Sequence, residues 1–167
     1  MMQKKLLVIL SITLNSVAYA ACQNNIIATA PDSRYQLLNN GAEVKDLKTN
    51  LIWQRCSLGQ TWSGSSCTGG GGQYNLQGAL QAAQNTEGGW RLPNIKELRS
   101  LVERSCFSPS VNERIFPNTV AGFYLSSSPT IWAGDAGSNW IISFSDGRDE
   151  YDNKNSVKYY TRLVRSE

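Results

Sequence analysis

Two hydrophobic periodicities divide the chain. From Arg34 to Arg55, short apolar runs are broken by Asn40-Gly41 and by Lys48 to Asn50. This predicts three short strands: one before Asn40, one through Val44 and one over Leu51 to Gln54. Asn-Gly suits such a turn because both residues tolerate positive φ. From Asn75 the spacing changes to three and four residues, and Leu76, Ala79, Leu80 and Ala83 predict a short amphipathic helix, weakened by Gly78. A second stripe of Ile95, Leu98, Leu101 and Val102 predicts another helix, with Lys96, Arg99, Glu103 and Arg104 on its solvated side. Asn94 and Glu97 have capping-box spacing at its start, and Pro93 keeps Leu92 extended.

Beyond Cys106, three prolines (Pro109, Pro117 and Pro129) bar continuous helix. From Ile131 period two takes over. It predicts a strand through Trp140, Ile142 and Phe144, a turn at Asp146-Gly147, a short strand near Tyr151, a turn at Asn153 to Asn155 and a final strand from Val157 to Arg165. Helices in the middle and strands at both ends predict an α+β domain with two helices, antiparallel hairpins and a C-terminal β-meander. The strands near the two ends are expected to pair.

The N-terminus changes the picture of where the chain resides. Lys4 and Lys5, the apolar run Leu6 to Leu14 and the small-residue pattern Ala18-Tyr19-Ala20 have the order of a secretory signal, with cleavage expected after Ala20. The apolar run is shorter than the ~20 residues a membrane-spanning helix needs. Tyr19 stands where a lipobox wants leucine, so Cys22 is expected to be oxidised and not acylated. Residues 1–20 are therefore assigned to the signal and 21–167 to one exported domain, periplasmic or extracellular. Of 167 residues 41% are hydrophobic, enough for a single core. The formal charge of +3 falls when Lys4 and Lys5 leave, which implies neither a nucleic-acid partner nor a polybasic membrane tether.

The four cysteines, Cys22, Cys56, Cys67 and Cys106, allow three disulfide pairings. Cys56 and Cys67 bracket the short loop "CSLGQTWSGSSC", so they are expected to pair, leaving Cys22 for Cys106. With no histidine and no Cys-x-x-Cys spacing, a zinc site is not expected. The run Gly69 to Gly72 lacks the Lys-Ser/Thr of a phosphate-binding loop and reads as a flexible surface loop.

Candidate chemistry is sparse. Without histidine, Ser-His-Asp and Cys-His arrangements are impossible. Asp146 with Asp149 or Asp152 could suggest a hydrolase pair, but Asp146 is explained by its turn. Asp146, Asp149, Glu150, Asp152 and Asn153 are oxygen ligands of the kind calcium takes, yet strand alternation sends them to opposite faces. No metal and no cofactor are expected. Trp53, Trp90 and Trp140 sit in core patterns, whereas Trp62, in the disulfide loop, and Trp132, beside a glycine-rich turn, are candidates for sugar stacking. Arg148, Lys154, Lys158, Arg162 and Arg165 gather in the meander. They are either alternating sheet charges answering the acidic residues or a set suited to sulfate groups.

Read together, "LIWQRCSLGQTW", "WRLPNIKELRSLVE", "FPNT", "SSSP" and "VKYYTRLVR" resemble the Lcl C-terminal domain family, from about Arg34 to Arg165. "RLPNIKEL" and "RLVR" are also similar to segments of formylglycine-generating enzymes and related C-type-lectin-like domains. The resemblance implies a C-type-lectin-like fold. The sulfatase-maturing relatives rely on late cysteines that this chain lacks after Cys106, and the Glu-Pro-Asn and Trp-Asn-Asp signatures of sugar-binding C-type lectins are absent. The resemblance therefore implies a non-enzymatic, adhesin-like domain for a surface glycan, in its specific form a sulfated polysaccharide. The other reading is an envelope protein-interaction or structural module. One departure is Leu125, where the family usually has tryptophan before the serines, which bears on any groove there. The family's namesake is joined to a trimeric collagen-like stalk; with no Gly-X-Y repeat or heptads here, any homo-oligomer would have to be built by the domain itself.

Overall fold

The computed structural model describes residues 21–130, 138–152 and 157–167. The signal assignment, Trp132, Lys154 and the turn at Asn153 to Asn155 lie outside the described residues.

The chain opens with β1 (Ala21–Cys22) and continues through β2 (Tyr35–Leu38), β3 (Glu43–Asp46), β4 (Leu51–Gln54), β5 (Thr61–Trp62) and β6 (Cys67–Thr68). Helices α1 (Leu76–Gln84) and α2 (Ile95–Arg99) follow. Then come β7 (Cys106–Phe107), β8 (Phe123–Pro129), β9 (Asn139–Ser143), β10 (Asp149–Asp152) and β11 (Val164–Arg165). Two larger antiparallel sheets result, ordered β11-β4-β3-β2 and β10-β9-β8, with two-stranded ribbons β1-β7 and β5-β6. The architecture is α+β. Among the described residues, no helix is long and apolar enough to cross a membrane.

The strands at the N-terminal end form where the alternating pattern places them. At Asn40-Gly41 both residues adopt positive φ, 51° and 81°, in a short 3-10 turn. Helix α1 is capped by Asn75 Oδ1, which accepts from the Gly78 amide at 2.9 Å. It buries Ala79 and Ala83, while Leu80 of the expected stripe stays exposed. Helix α2 carries the reciprocal capping box: Asn94 Oδ1 accepts from the Glu97 amide at 2.9 Å, and Glu97 Oε2 accepts from the Asn94 amide at 2.8 Å. It is shorter than its sequence stripe, ending at Arg99 with Ser100 as cap. Leu101 and Val102 still reach the core, but from the turns after the helix, where the chain bends toward Cys106.

The C-terminal expectation is half met. β8, β9 and β10 make a meander around the Asp146-Gly147 turn, but the final strand from Val157 does not join it. Only Val164–Arg165 forms a strand, and it pairs with β4, placing Val164 opposite Trp53. The physical reason lies in the segment before it, which is shared between both sheets. Leu125 and Leu58 donate to the Tyr160 and Thr161 carbonyls, Gln54 donates to that of Leu163, and Arg91 exchanges two hydrogen bonds with Val164. The closing segment is thus a seam holding the two halves together, and the expected pairing of the end strands is realised through it.

Two apolar clusters flank this seam. One joins Val44, Trp53, Leu98, Leu101, Phe116, Tyr124, Ile142, Phe144 and Val164; the other joins Ile52, Ala79, Ala83, Trp90, Leu92, Leu125, Ile141 and Leu163. Leu125 belongs to the second cluster and is buried, so the departure from tryptophan there alters core packing and not an open groove.

Both expected disulfides form: Cys22–Cys106 ties β1 to β7, and Cys56–Cys67 closes the loop that holds β5 and β6. They are compatible with an exported chain. Within the glycine run, read as a flexible loop, Gly71 and Gly72 meet close neighbours while Gly70 faces open space. A Cβ on Gly71 would lie 3.2 Å from the Tyr160 ring, and one on Gly59 would lie 2.4 Å from the Gly72 amide nitrogen. Glycine is used here for close backbone approach.

Candidate functional site

Of the five basic residues of the C-terminal segment, the four described ones, Arg148, Lys158, Arg162 and Arg165, have separate surroundings. Arg148 is exposed but bound within its own turn, its Nε donating to Asp146 Oδ2 at 2.6 Å. That contact raises the Arg148 pKa and lowers that of Asp146. Arg165 donates to Glu43 at 2.9 Å and lies over the Trp90 ring. Lys158 is exposed and, among the described residues, forms no salt bridge.

Arg162 is the clearest correction. The sequence makes it a ligand-binding candidate, whereas its relative exposure is 0%. Its guanidinium donates to the carbonyls of Gln54 and Arg55, to Ser57 Oγ and, at 2.8 Å, to Thr119 Oγ1, and it sits 4.7 Å from the Phe116 ring centre. Burial pulls its pKa down to about 10, so it remains charged at neutral pH. Arg162 faces inward because the seam needs donors for carbonyls that no strand satisfies. Period two alone cannot distinguish such a residue from one pointing outward.

A second buried cation accompanies it. Arg55 donates to the carbonyls of Ile115, Gly41 and Arg114, and its guanidinium lies 4.5 Å from the Trp62 ring centre. Trp62 is therefore a clamped ring, its Nε1 donating to the Asn40 carbonyl at 3.2 Å, and only partly accessible. It borders a recess of about 220 Å³ with Asn39, Glu43, Gln54 and Gln60.

The buried carboxylates are equally committed. Asp46, fully buried, binds Arg34, Thr49 Oγ1 and the Lys48 amide. Burial alone would raise its pKa, but these donors together lower it. Glu103 accepts from the amides of Thr29, Ala30 and Ser105 and from Ser105 Oγ. Here too the donors outweigh burial and lower the pKa. It forms part of a depression of about 590 Å³ beside Cys22–Cys106, where its work is to fasten residues 29 and 30. Among the described residues, no group of three or more acidic, cysteine or histidine side chains is placed to hold a metal ion.

What remains open is an aromatic corner on the meander. The turn at Asp146-Gly147 sets the register, so Tyr151 falls opposite Trp140, Glu150 opposite Ile141 and Asp149 opposite Ile142. The Trp140 and Tyr151 rings stand 6.1 Å apart with their planes at 73°. Tyr151 is 51% exposed, and with Asp149 and Glu150 the two rings line an open depression of about 490 Å³. The sequence reading placed Trp140 in the core because it shares period two with Ile142 and Phe144, which are fully buried; Trp140 is only half-buried. Counting outward from Asp146-Gly147 alone would have put Tyr151 opposite Ile142; the pairing with Trp140 follows from the wider turn, in which the Ser143 amide donates to the Arg148 carbonyl.

The seam, the capped α2 and strands β3, β4 and β11 of the first sheet fall within residues 42–165, which match the model of the Lcl C-terminal domain. The chain belongs to that family. The matched segment leaves out β1 and β2 but holds both α-helices, the meander and the aromatic corner. No curated protein and no solved structure matches the chain. The Lcl C-terminal domain of this chain therefore has to be read from its own geometry.

Proposed function

We propose that this chain is an exported, non-enzymatic recognition domain, C-type-lectin-like in arrangement, that holds a surface carbohydrate in an adhesin-like role. The observation that carries this reading is the Trp140–Tyr151 corner, where aromatic surface stays accessible beside two carboxylates. Pyranose rings present C–H faces to aromatic side chains and hydroxyls to polar neighbours, and a corner of two rings with oxygen acceptors meets both needs. Family membership and the disulfides agree with a surface role. The buried charged residues, by contrast, have partners that make them structural, which leaves no accessible acid–base pair among them.

Of the described basic residues in the meander segment, Arg162 is buried and Arg148 and Arg165 are matched by Asp146 and Glu43, which leaves Lys158 exposed for a sulfated ligand. The test is a glycan array and affinity electrophoresis with the mature domain, using Trp140→Ala as control. Binding that weakens at least tenfold in the variant supports the reading; silence of the folded wild type on all carbohydrate probes overturns it.

One observation favours an envelope protein-interaction module. Ile27 is 90% exposed and Phe107 51% exposed, both beside or within the N-terminal ribbon. Such apolar surface suits a protein partner or a second copy. Sedimentation velocity of wild type and Ile27→Ser across a concentration series tests self-association: concentration-dependent species lost in the variant support it, and a single monomer in both removes it.

A further inference from the structure

We infer that the recess beside Trp62 is a second carbohydrate subsite, which seats one terminal sugar unit and takes its hydroxyls on Asn39, Glu43 and Gln54. The inference rests on the proposed carbohydrate-binding role. It adds a site with a lining of its own, apart from the Trp140–Tyr151 corner, and the part of the ligand held there.

The β3–β4 ladder builds the polar wall. Glu43 and Gln54 are Cα partners, one step along from the pair Val44 and Trp53. Successive side chains on a strand point to opposite faces, so Val44 and Trp53 enter the core while Glu43 and Gln54 stand together on the other face, half-buried. The turn before β3 completes the wall. Asn39 and Asn40 take positive φ of 48° and 51°, and Asn39 Nδ2 donates to Glu43 Oε1 at 3.0 Å. Arg165 Nη2 donates to the other carboxylate oxygen at 2.9 Å. Each of these oxygens has a further lone pair that can accept from a ligand hydroxyl, and the amides of Asn39 and Gln54 both donate and accept. A sugar hydroxyl is itself donor and acceptor, so this set answers it in either sense.

Trp62 supplies the aromatic wall, already fixed before any ligand arrives. Arg55 lies 4.5 Å from its ring centre and is itself held by the Gly41 and Arg114 carbonyls, each at 2.8 Å. The indole Nε1 donates to the Asn40 carbonyl, and Trp62 is the Cα partner of Cys67, whose disulfide runs to Cys56. A wall immobilised in this way loses little further freedom when a ligand binds. The ring stays partly exposed and borders the recess. Aromatic surface beside convergent polar groups is the arrangement that carbohydrate faces require.

Size limits the occupant. At about 220 Å³ the recess is smaller than the ~300–1,000 Å³ of sites for drug-sized ligands, and it suits a single sugar ring. Cys56 is part of the lining, so the disulfide backs the recess and a seated ring leaves its chain toward solvent. A terminal unit fits that geometry.

The experiment is two-dimensional ¹H–¹⁵N NMR of the mature disulfide-bonded domain, titrated with methyl β-glucoside, methyl β-galactoside and methyl α-mannoside. Wild type is compared with Gln54→Ala and Tyr151→Ala, and Trp62→Phe assigns the Trp62 indole signal. Near-UV circular dichroism verifies each fold. The expected result is a saturable shift of the Trp62 Nε1–H signal with at least one glycoside. Its midpoint should rise about tenfold in Gln54→Ala, the loss of one or two hydrogen bonds, and stay within about twofold of wild type in Tyr151→Ala. A shift whose midpoint Gln54→Ala leaves unchanged overturns the assignment to this wall. A Trp62 signal that none of the glycosides moves, while the array shows carbohydrate binding, overturns the subsite and leaves the parent reading standing. No glycoside binding together with a silent array removes both.

Discussion

Replacing Arg162 separates a structural cation from a ligand-binding one. In Arg162→Ala the carbonyls of Gln54 and Arg55, Ser57 Oγ and Thr119 Oγ1 lose their shared donor, and Phe116 loses the cation over its ring. A hydrogen bond to a charged group contributes about 1.5–3 kcal/mol, but these four share one side chain and do not add. Desolvation of the guanidinium opposes them, as the lowered pKa indicates. The net cost should resemble that of breaking other buried charged networks, about 3–5 kcal/mol. For a domain of this size each kcal/mol moves the midpoint by roughly 2–4 °C, so a fall on the order of 10 °C is expected. The assay is thermal unfolding followed by near-UV circular dichroism, beside Arg148→Ala, which should leave the midpoint unchanged because its side chain is solvated. A midpoint within about 2 °C of wild type for Arg162→Ala, together with weakened ligand binding, would refute the reasoning.

Other consequences follow from the packing. Gly59→Ala places a Cβ against the Gly72 backbone at a φ of +91°, so urea unfolding should show a loss of about 2–4 kcal/mol; an unchanged midpoint would mean the loop is free. The carboxyls of Glu103 and Asp46 have folded pKa values below their unfolded ones, so the stability they supply is complete above about pH 4.5 and is lost as pH falls through the folded values. Glu103→Gln should flatten that acid limb in a pH series of urea melts, and a limb identical to wild type would assign it elsewhere. Replacing Cys56 and Cys67 by serine should lower stability by about 3 kcal/mol, read from the midpoints of the oxidised protein and the double variant in the same buffer; equal midpoints would show that β5 and β6 hold without the bridge.

Much of the fold was legible because local signals were strong. Asn94 and Glu97 announced α2, Asn40-Gly41 its turn, and the short Cys56-to-Cys67 loop its disulfide. What was hidden depended on contacts distant in sequence. Arg162 looks like a solvated strand residue until Gln54, Ser57 and Thr119 are brought around it. Gly71 and Gly72 look loose until Tyr160 and Gly59 are packed against them. Trp140 looks like core because periodicity records a face and not how far along that face the covering layer extends. Of the sequence's ligand candidates among the described residues, Trp62 is clamped by Arg55, Arg148 is tied to Asp146, Lys158 is exposed and Arg162 is buried. None of them shares the depression formed by Trp140 and Tyr151.

On the proposed function, recognition is by aromatic stacking and hydroxyl contacts, while the buried cations Arg55 and Arg162 serve the fold. The most direct test is the salt dependence of carbohydrate affinity for the wild-type domain, measured from about 50 mM to 500 mM sodium chloride, a range over which exposed charge interactions are increasingly screened. Recognition by stacking predicts an affinity for a neutral oligosaccharide that changes less than about twofold across that range. An affinity confined to anionic polysaccharide that falls more than about tenfold would contradict it.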